Sequence, residues 1–141
     1  IEGTGLELIN EQPGDWVVDK AMQVTENMIQ ANPDLAGIYG TNEGSTLGVA
    51  NAIDSQNLKG KVKVIGFDST EAIINFLKNG VIQGFVVQDA YQIGYQGIKT
   101  LNAALSGQPV EKEIDIPVKF VNTENINTPE IDKLLHPFGK K

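Results

Sequence analysis

The sequence predicts a single α/β lobe over residues 1–141, built on a mostly parallel sheet with helices on both faces. Three observations predict it. Short apolar runs alternate with stretches of helical period, the joints between them are short and rich in Pro, Gly, Asn and Asp, and the length is that of one domain. At that length folding buries roughly 70% of the surface of the unfolded chain, enough for one core. Strand and helix in alternation read as parallel βαβ crossovers, with sequential strands side by side.

The elements follow in order. Leu6 to Asn10 has the composition of a short strand, and the Pro13-Gly14 turn ends it. Asp15 is placed to cap a helix in which Val17, Ala21, Val24 and Met28 share a face, and Asn32-Pro33 closes that helix. Ala36 to Thr41 is the second strand; Leu47, Ala50 and Ile53 mark the second helix, which stops at Lys59-Gly60-Lys61. Val62 to Phe67 is the third strand, Glu71 to Lys78 the third helix, and Ile82 to Val87 the fourth strand after the Asn79-Gly80 break. A helix from Tyr91 to Ser106 carries Gly94, Gly97, Ile98, Leu101 and Leu105 on one face. Ile116 to Val121 is a fifth strand beginning near Pro117, a residue tolerated at strand starts and edges, and a short helical turn spans Pro129 to Leu135.

Composition narrows the function. A net charge of −7, with Lys140-Lys141 as the only basic pair, argues against nucleic acid or an anionic membrane as partner. With no cysteine, disulfides, thiolate metal sites and cysteine nucleophiles are excluded. His136 is the only histidine and lacks companions for a metal site or a nucleophile pair. The glycines from Gly37 to Gly44 fit neither the dinucleotide fingerprint nor the phosphate loop, and no two carboxylates single themselves out as acid and base. The expectation is a protein that is not an enzyme and uses no cofactor or metal.

Four residues stand out by position. Trp16 follows the first strand, Asn42 the second, Asp68 the third and Gln88 the fourth. In an open parallel sheet, small molecules bind in the loops beyond the carboxyl ends of the strands, so these side chains converge on one rim. Carboxylate and amide groups engage vicinal hydroxyls in pairs, and an indole covers the apolar side of a sugar ring. Each also has a structural alternative: Asp68 as a helix cap, Asn42 and Gln88 as loop residues, Trp16 as a core anchor.

The ordered segments TNEGSTLGVANAI, VKVIGFDST, NGVIQGFVVQDAYQIGYQGI and IPVKFVN resemble the C-terminal part of periplasmic sugar-binding proteins of the ribose-binding type. The resemblance covers nearly the whole chain. It implies a periplasmic-binding-protein type I lobe, and a soluble receptor that passes a monosaccharide to the membrane permease of an ABC importer. In that family two lobes close on the sugar, and Asn42, Asp68, Gln88 and Trp16 match the contacts of the C-terminal lobe, with Phe67 packing beside them. The implied location is periplasmic or extracellular, with a membrane-anchored lipoprotein form allowed. Repressors of the lactose type share this fold and strand-end site, so the alternative is the effector-binding domain of such a regulator.

Measured against that family, the N-terminal lobe is missing, as are the first strand and helix of the C-terminal lobe with the arginine usually found between them. The chain is therefore expected to be a fragment, a partial C-terminal lobe. Residues 90–113 would pack on the missing lobe, so the apolar face of helix 91–106 is expected to be exposed, repacked, or covered by self-association.

Overall fold

The computed structural model describes residues 3–139. Its elements are α1 (Val18–Ala31), β1 (Gly37–Tyr39), α2 (Glu43–Ser55), β2 (Lys63–Phe67), α3 (Glu71–Lys78), β3 (Gly84–Val87), α4 (Ala90–Leu105), β4 (Lys119–Val121) and α5 (Pro129–Leu135). They form one four-stranded sheet in the order β1-β2-β3-β4. The first three strands are parallel, with Ile38 opposite Val64 and Gly66 opposite Phe85. The last runs antiparallel to β3, with Val121 opposite Phe85.

Side chains alternate across a pleated sheet, so this register sorts them into two faces. Val64, Gly66, Phe85, Val87 and Val121 share one face and are all buried. Ile65, Phe67 and Val86 point the other way and are half-buried. A methyl group on Gly66 would strike Thr46 of α2, which places α2 on the buried face. Ile53 of α2 and Ile73 and Leu77 of α3 join the same core around Phe85, all fully enclosed, as two crossovers of the same hand require.

Local chemistry sets the helix ends. The Asn42 side chain caps α2, Thr70 caps α3 and Asp89 caps α4, each accepting a backbone N–H from the first turn. In α5, Thr128 is the cap and Pro129 occupies the first turn, where its missing N–H costs nothing. Gly80 ends α3 in the left-handed conformation, φ 72°. Gly48 admits α1 against α2: a Cβ there would lie 2.6 Å from Val18 O and 2.5 Å from Ala21 Cβ.

Several expectations change. Leu6 to Asn10 forms no strand; it is irregular, with Leu6, Leu8 and Ile9 exposed. A strand beside β1 would gain little there, because Gly37 and Tyr39 are themselves exposed and the core thins at that edge. Asp15 does not cap α1. It and Trp16 both adopt left-handed conformations, φ 51° and 64°, the helix begins after Val17 without a side-chain cap, and the Asp15 carboxylate pairs with Lys20 instead. The strand expected over Ile116 to Val121 shortens to Lys119–Val121. Pro117 cannot donate to a ladder, and pairing begins two residues after it.

Helix α4 forms as its pattern predicts but buries no residue. Ile98 and Leu105 are 71% and 80% exposed. Segment 111–116 lies along one side of α4, where Ile114 and Ile116 line an open groove with Ile93 and Gly97. Phe138 meets the Tyr91 ring edge to face at 5.9 Å, and Tyr91 stacks on Tyr95. No helix among the described residues is long and apolar enough to cross a membrane.

Candidate functional site

Parallel pairing of β1, β2 and β3 brings their carboxyl ends to one side of the sheet, and Asn42, Asp68 and Gln88 follow those ends. The structure joins two of them directly. Gln88 Nε2 donates to Asp68 Oδ1 at 2.9 Å on an exposed part of the rim. Among the described residues Asp68 Oδ2 and Gln88 Oε1 make no bond within the chain, so the pair offers two acceptors outward.

Asp68 is held by its backbone. Its N–H donates to Val86 O at 2.8 Å, extending the β2–β3 ladder by one residue, and its φ is 67°. Asp visits that left-handed region more readily than most residues, but still at a cost of the order of 1–3 kcal/mol. The conformation turns the chain off the strand and toward Thr70, which supplies the cap of α3; Asp68 itself is not that cap.

Asn42 serves two readings together. Its Oδ1 accepts from Ser45 N–H at 2.9 Å, and the residue is buried. With the carbonyl oxygen engaged, what Asn42 can offer a ligand is its NH2 group, a donor. The same edge of the sheet therefore carries one amide donor at Asn42 and the two unused acceptors of the Asp68–Gln88 pair.

Trp16 lies on the same side through its backbone: a Cβ on Gly44, two residues beyond Asn42, would lie 2.1 Å from Trp16 O. The residue is 76% exposed, so it is not a core anchor. Here it follows a left-handed turn rather than a strand, because the Leu6 to Asn10 strand does not form.

Thr46 is the residue that sequence reasoning missed. Its side chain is fully enclosed, and its Oγ1 accepts from Phe67 N–H at 2.8 Å while lying 2.8 Å from Asn42 O and 3.3 Å from Gly40 O. A signal existed in the glycines: Gly66 inside a strand marks a close approach by another group, and Gly40 at the end of β1 faces the same side chain.

Among the described residues no group of three or more His, Cys, Asp or Glu is placed to hold a metal ion. His136 pairs with Asp132 one turn back at 3.3 Å.

Comparison with known proteins agrees with this fold. The family model described as "Periplasmic binding protein domain" matches residues 1–109. The D-ribose/D-allose-binding protein of Pseudomonas aeruginosa is 30% identical over 125 residues, 86% of this chain and 39% of its own length. The D-allose-binding periplasmic protein of Escherichia coli is 34% identical over 110 residues, covering 76% of this chain and 35% of its own. Among solved structures, a carbohydrate transporter solute-binding protein from Agrobacterium radiobacter in complex with D-arabinose is similar at 38% identity and TM-score 0.88. An ABC transporter solute-binding protein from Agrobacterium vitis bound to α-D-tagatopyranose is similar at 30% identity and TM-score 0.89. Each of these structures is matched over 93% of this chain and 44% of its own. The chain thus spans less than half the length of these relatives.

Proposed function

The chain belongs to the periplasmic binding protein domain family, and from that premise we propose that Asn42, Asp68, Gln88 and Trp16 form one side of a monosaccharide site. The whole protein is then an extracytoplasmic solute receptor that delivers the sugar to the permease of an ABC importer. The observation that carries this reading is the Asp68–Gln88 pair, bonded at 2.9 Å on the exposed rim with one acceptor of each side chain unused, at the same sheet edge as Asn42. A sugar ring presents hydroxyls that both donate and accept, which suits a mixed set of this kind. Trp16, free of the core, is available to cover the apolar face of the ring.

In this reading the chain is the greater part of a C-terminal lobe, and a second lobe supplies the remaining contacts by hinge closure. Residues 90–113 belong against that second lobe. A periplasmic location, or an anchored lipoprotein form, goes with the same reading.

Isothermal titration against D-ribose, D-allose, D-arabinose and D-tagatose tests it. The full-length natural chain should bind at least one of them, Asp68→Ala should abolish the binding, and residues 1–141 alone should bind at millimolar strength or not at all. Tight binding by residues 1–141 alone would contradict the two-lobe site. Silence from the full-length chain across a broad sugar panel would overturn the sugar reading itself.

A further inference from the structure

We propose that Thr46 is a positioning residue, fixing Asp68 and Asn42 relative to each other while touching no ligand; this rests on the monosaccharide reading above. Three parts of the rim meet at its hydroxyl. Strand β1 parts from β2 after Gly40 N–H bonds Ile65 O, which leaves Phe67 N–H without a strand partner, and Thr46 Oγ1 takes that position at 2.8 Å. Its single hydroxyl proton goes to one of the carbonyls around it, with Asn42 O the nearest at 2.8 Å; Phe67 O lies at 3.1 Å and Gly40 O at 3.3 Å. The residue before Asp68 and the backbone of Asn42 are thus tied through one buried oxygen.

The surroundings leave the side chain little room to move. A Cβ on Gly66 would sit 2.4 Å from Thr46 Cγ2, and one on Gly40 would sit 2.7 Å from Thr46 Cα. Glycine thus stands both within β2 and just after β1 where α2 presents this threonine. On the far side, Asp68 N–H is fixed to Val86 O. Asp68 is therefore anchored on one side by β3 and on the other, through Phe67, by Thr46, which maintains a left-handed conformation that a looser chain would leave.

Thr46→Val keeps the shape and removes the hydroxyl; Thr46→Ser keeps the hydroxyl and removes the methyl. In the full-length natural chain, Thr46→Val should weaken the best of the four sugars by about tenfold or more, as a buried donor loses its partner and Asp68 loses its register. Thr46→Ser should recover most of that loss. Deoxy analogues supply the readout that separates positioning from general destabilisation. Against the analogue lacking the hydroxyl that Asp68 holds, found as the one whose binding Asp68→Ala leaves unchanged, Thr46→Val should cost much less than against the parent sugar. Equal losses for parent and analogue, or full affinity in Thr46→Val, would overturn the proposal.

If the wild-type protein binds no sugar, the monosaccharide reading fails by itself and positioning is read by NMR on residues 1–141. Thr46→Val should then speed amide exchange at Phe67 and shift the Asp68 and Asn42 resonances, with Thr46→Ser returning them. Resonances unmoved by Thr46→Val would overturn the positioning role.

Discussion

Helices α3 and α4 are both amphipathic in sequence and end in opposite conditions. The eight residues of α3 bury Ile73 and Leu77 completely, whereas the sixteen of α4 bury none and hold Ile98 and Leu105 in solvent. The periodic spacing of apolar residues specifies a face and says nothing of what covers it. For α3 the cover is the sheet, in the same crossover. For α4 the described chain supplies only segment 111–116 and Phe138 along its flanks.

The contrast breaks most visibly in stability. Phe85 is fully buried at the centre of the sheet, and Phe85→Ala should cost about 3–5 kcal/mol, most of the stability of a marginal domain. Leu105→Ala removes a side chain of similar hydrophobic character that packs on little, and should change unfolding by less than about 0.5 kcal/mol. Urea denaturation of residues 1–141 measures both. A cost at Leu105 approaching that at Phe85 would mean that α4 is packed in solution.

Glycines sharpen the same comparison because the two helices should respond with opposite sign. At Gly48 a methyl group would meet Val18 O and Ala21 Cβ at 2.6 and 2.5 Å, so Gly48→Ala must push α1 away from α2, at about 1–3 kcal/mol. At Gly94 and Gly97 of α4 a Cβ would meet nothing within 4 Å. There Gly→Ala should stabilise the chain by about 0.5–1 kcal/mol each, through reduced freedom of the unfolded state and better helix propensity. In a full-length chain with α4 packed on a second lobe, the gain at Gly94 or Gly97 should shrink or reverse.

Asp68 offers a third test, one in which stability and binding part company. Its φ of 67° is strained for aspartate and free for glycine. Asp68→Gly should raise stability by about 1 kcal/mol once the loss of the exposed Gln88 bond is allowed for, and should abolish sugar binding. Thermal unfolding and titration on the same sample decide it. A variant that is both less stable and binding-competent would remove Asp68 from the site.

These tests follow the line between what was legible in the sequence and what was not. The bounds of α3 and α5 could be read directly, because Asn79-Gly80 and Pro129 are local signals that act within a turn, whereas the caps themselves, Thr70 rather than Asp68 for α3 and Thr128 for α5, emerge from the structure. The parallel order of β1, β2 and β3 was legible from alternation, and with it the placing of Asn42, Asp68 and Gln88 on one rim. What failed depended on partners distant in sequence. Leu6 to Asn10 has a strand's composition but no core at the edge of β1 to bury it. Thr46 looked like an ordinary helix residue because the N–H it receives lies 21 residues onward, in a strand whose glycine is the only local sign of the approach. The sequence leaves Asn42 open as a loop residue or a ligand contact; the structure gives it a cap's role through its carbonyl oxygen, which a strand-end position alone does not reveal.

The smallest expected effect is on folding and the most informative is on association. Ile98 is 71% exposed in the middle of α4, so Ile98→Lys should alter the stability of residues 1–141 by less than about 0.5 kcal/mol. Yet Ile98, Leu101 and Leu105 form a row on one face, with Tyr95 and Tyr91 one and two turns before Ile98, and soluble monomers seldom leave so continuous an apolar surface uncovered. Sedimentation velocity over a concentration series should show residues 1–141 self-associating and Ile98→Lys reversing it. In a full-length chain with α4 packed on a second lobe, as proposed above, the same substitution should instead destabilise the fold by about 1–3 kcal/mol, because the charge would be buried there. A wild-type chain that stays monomeric at high concentration would show that the row is covered within residues 1–141, by segment 111–116 or by Phe138, and the contrast between α3 and α4 would then be one of degree.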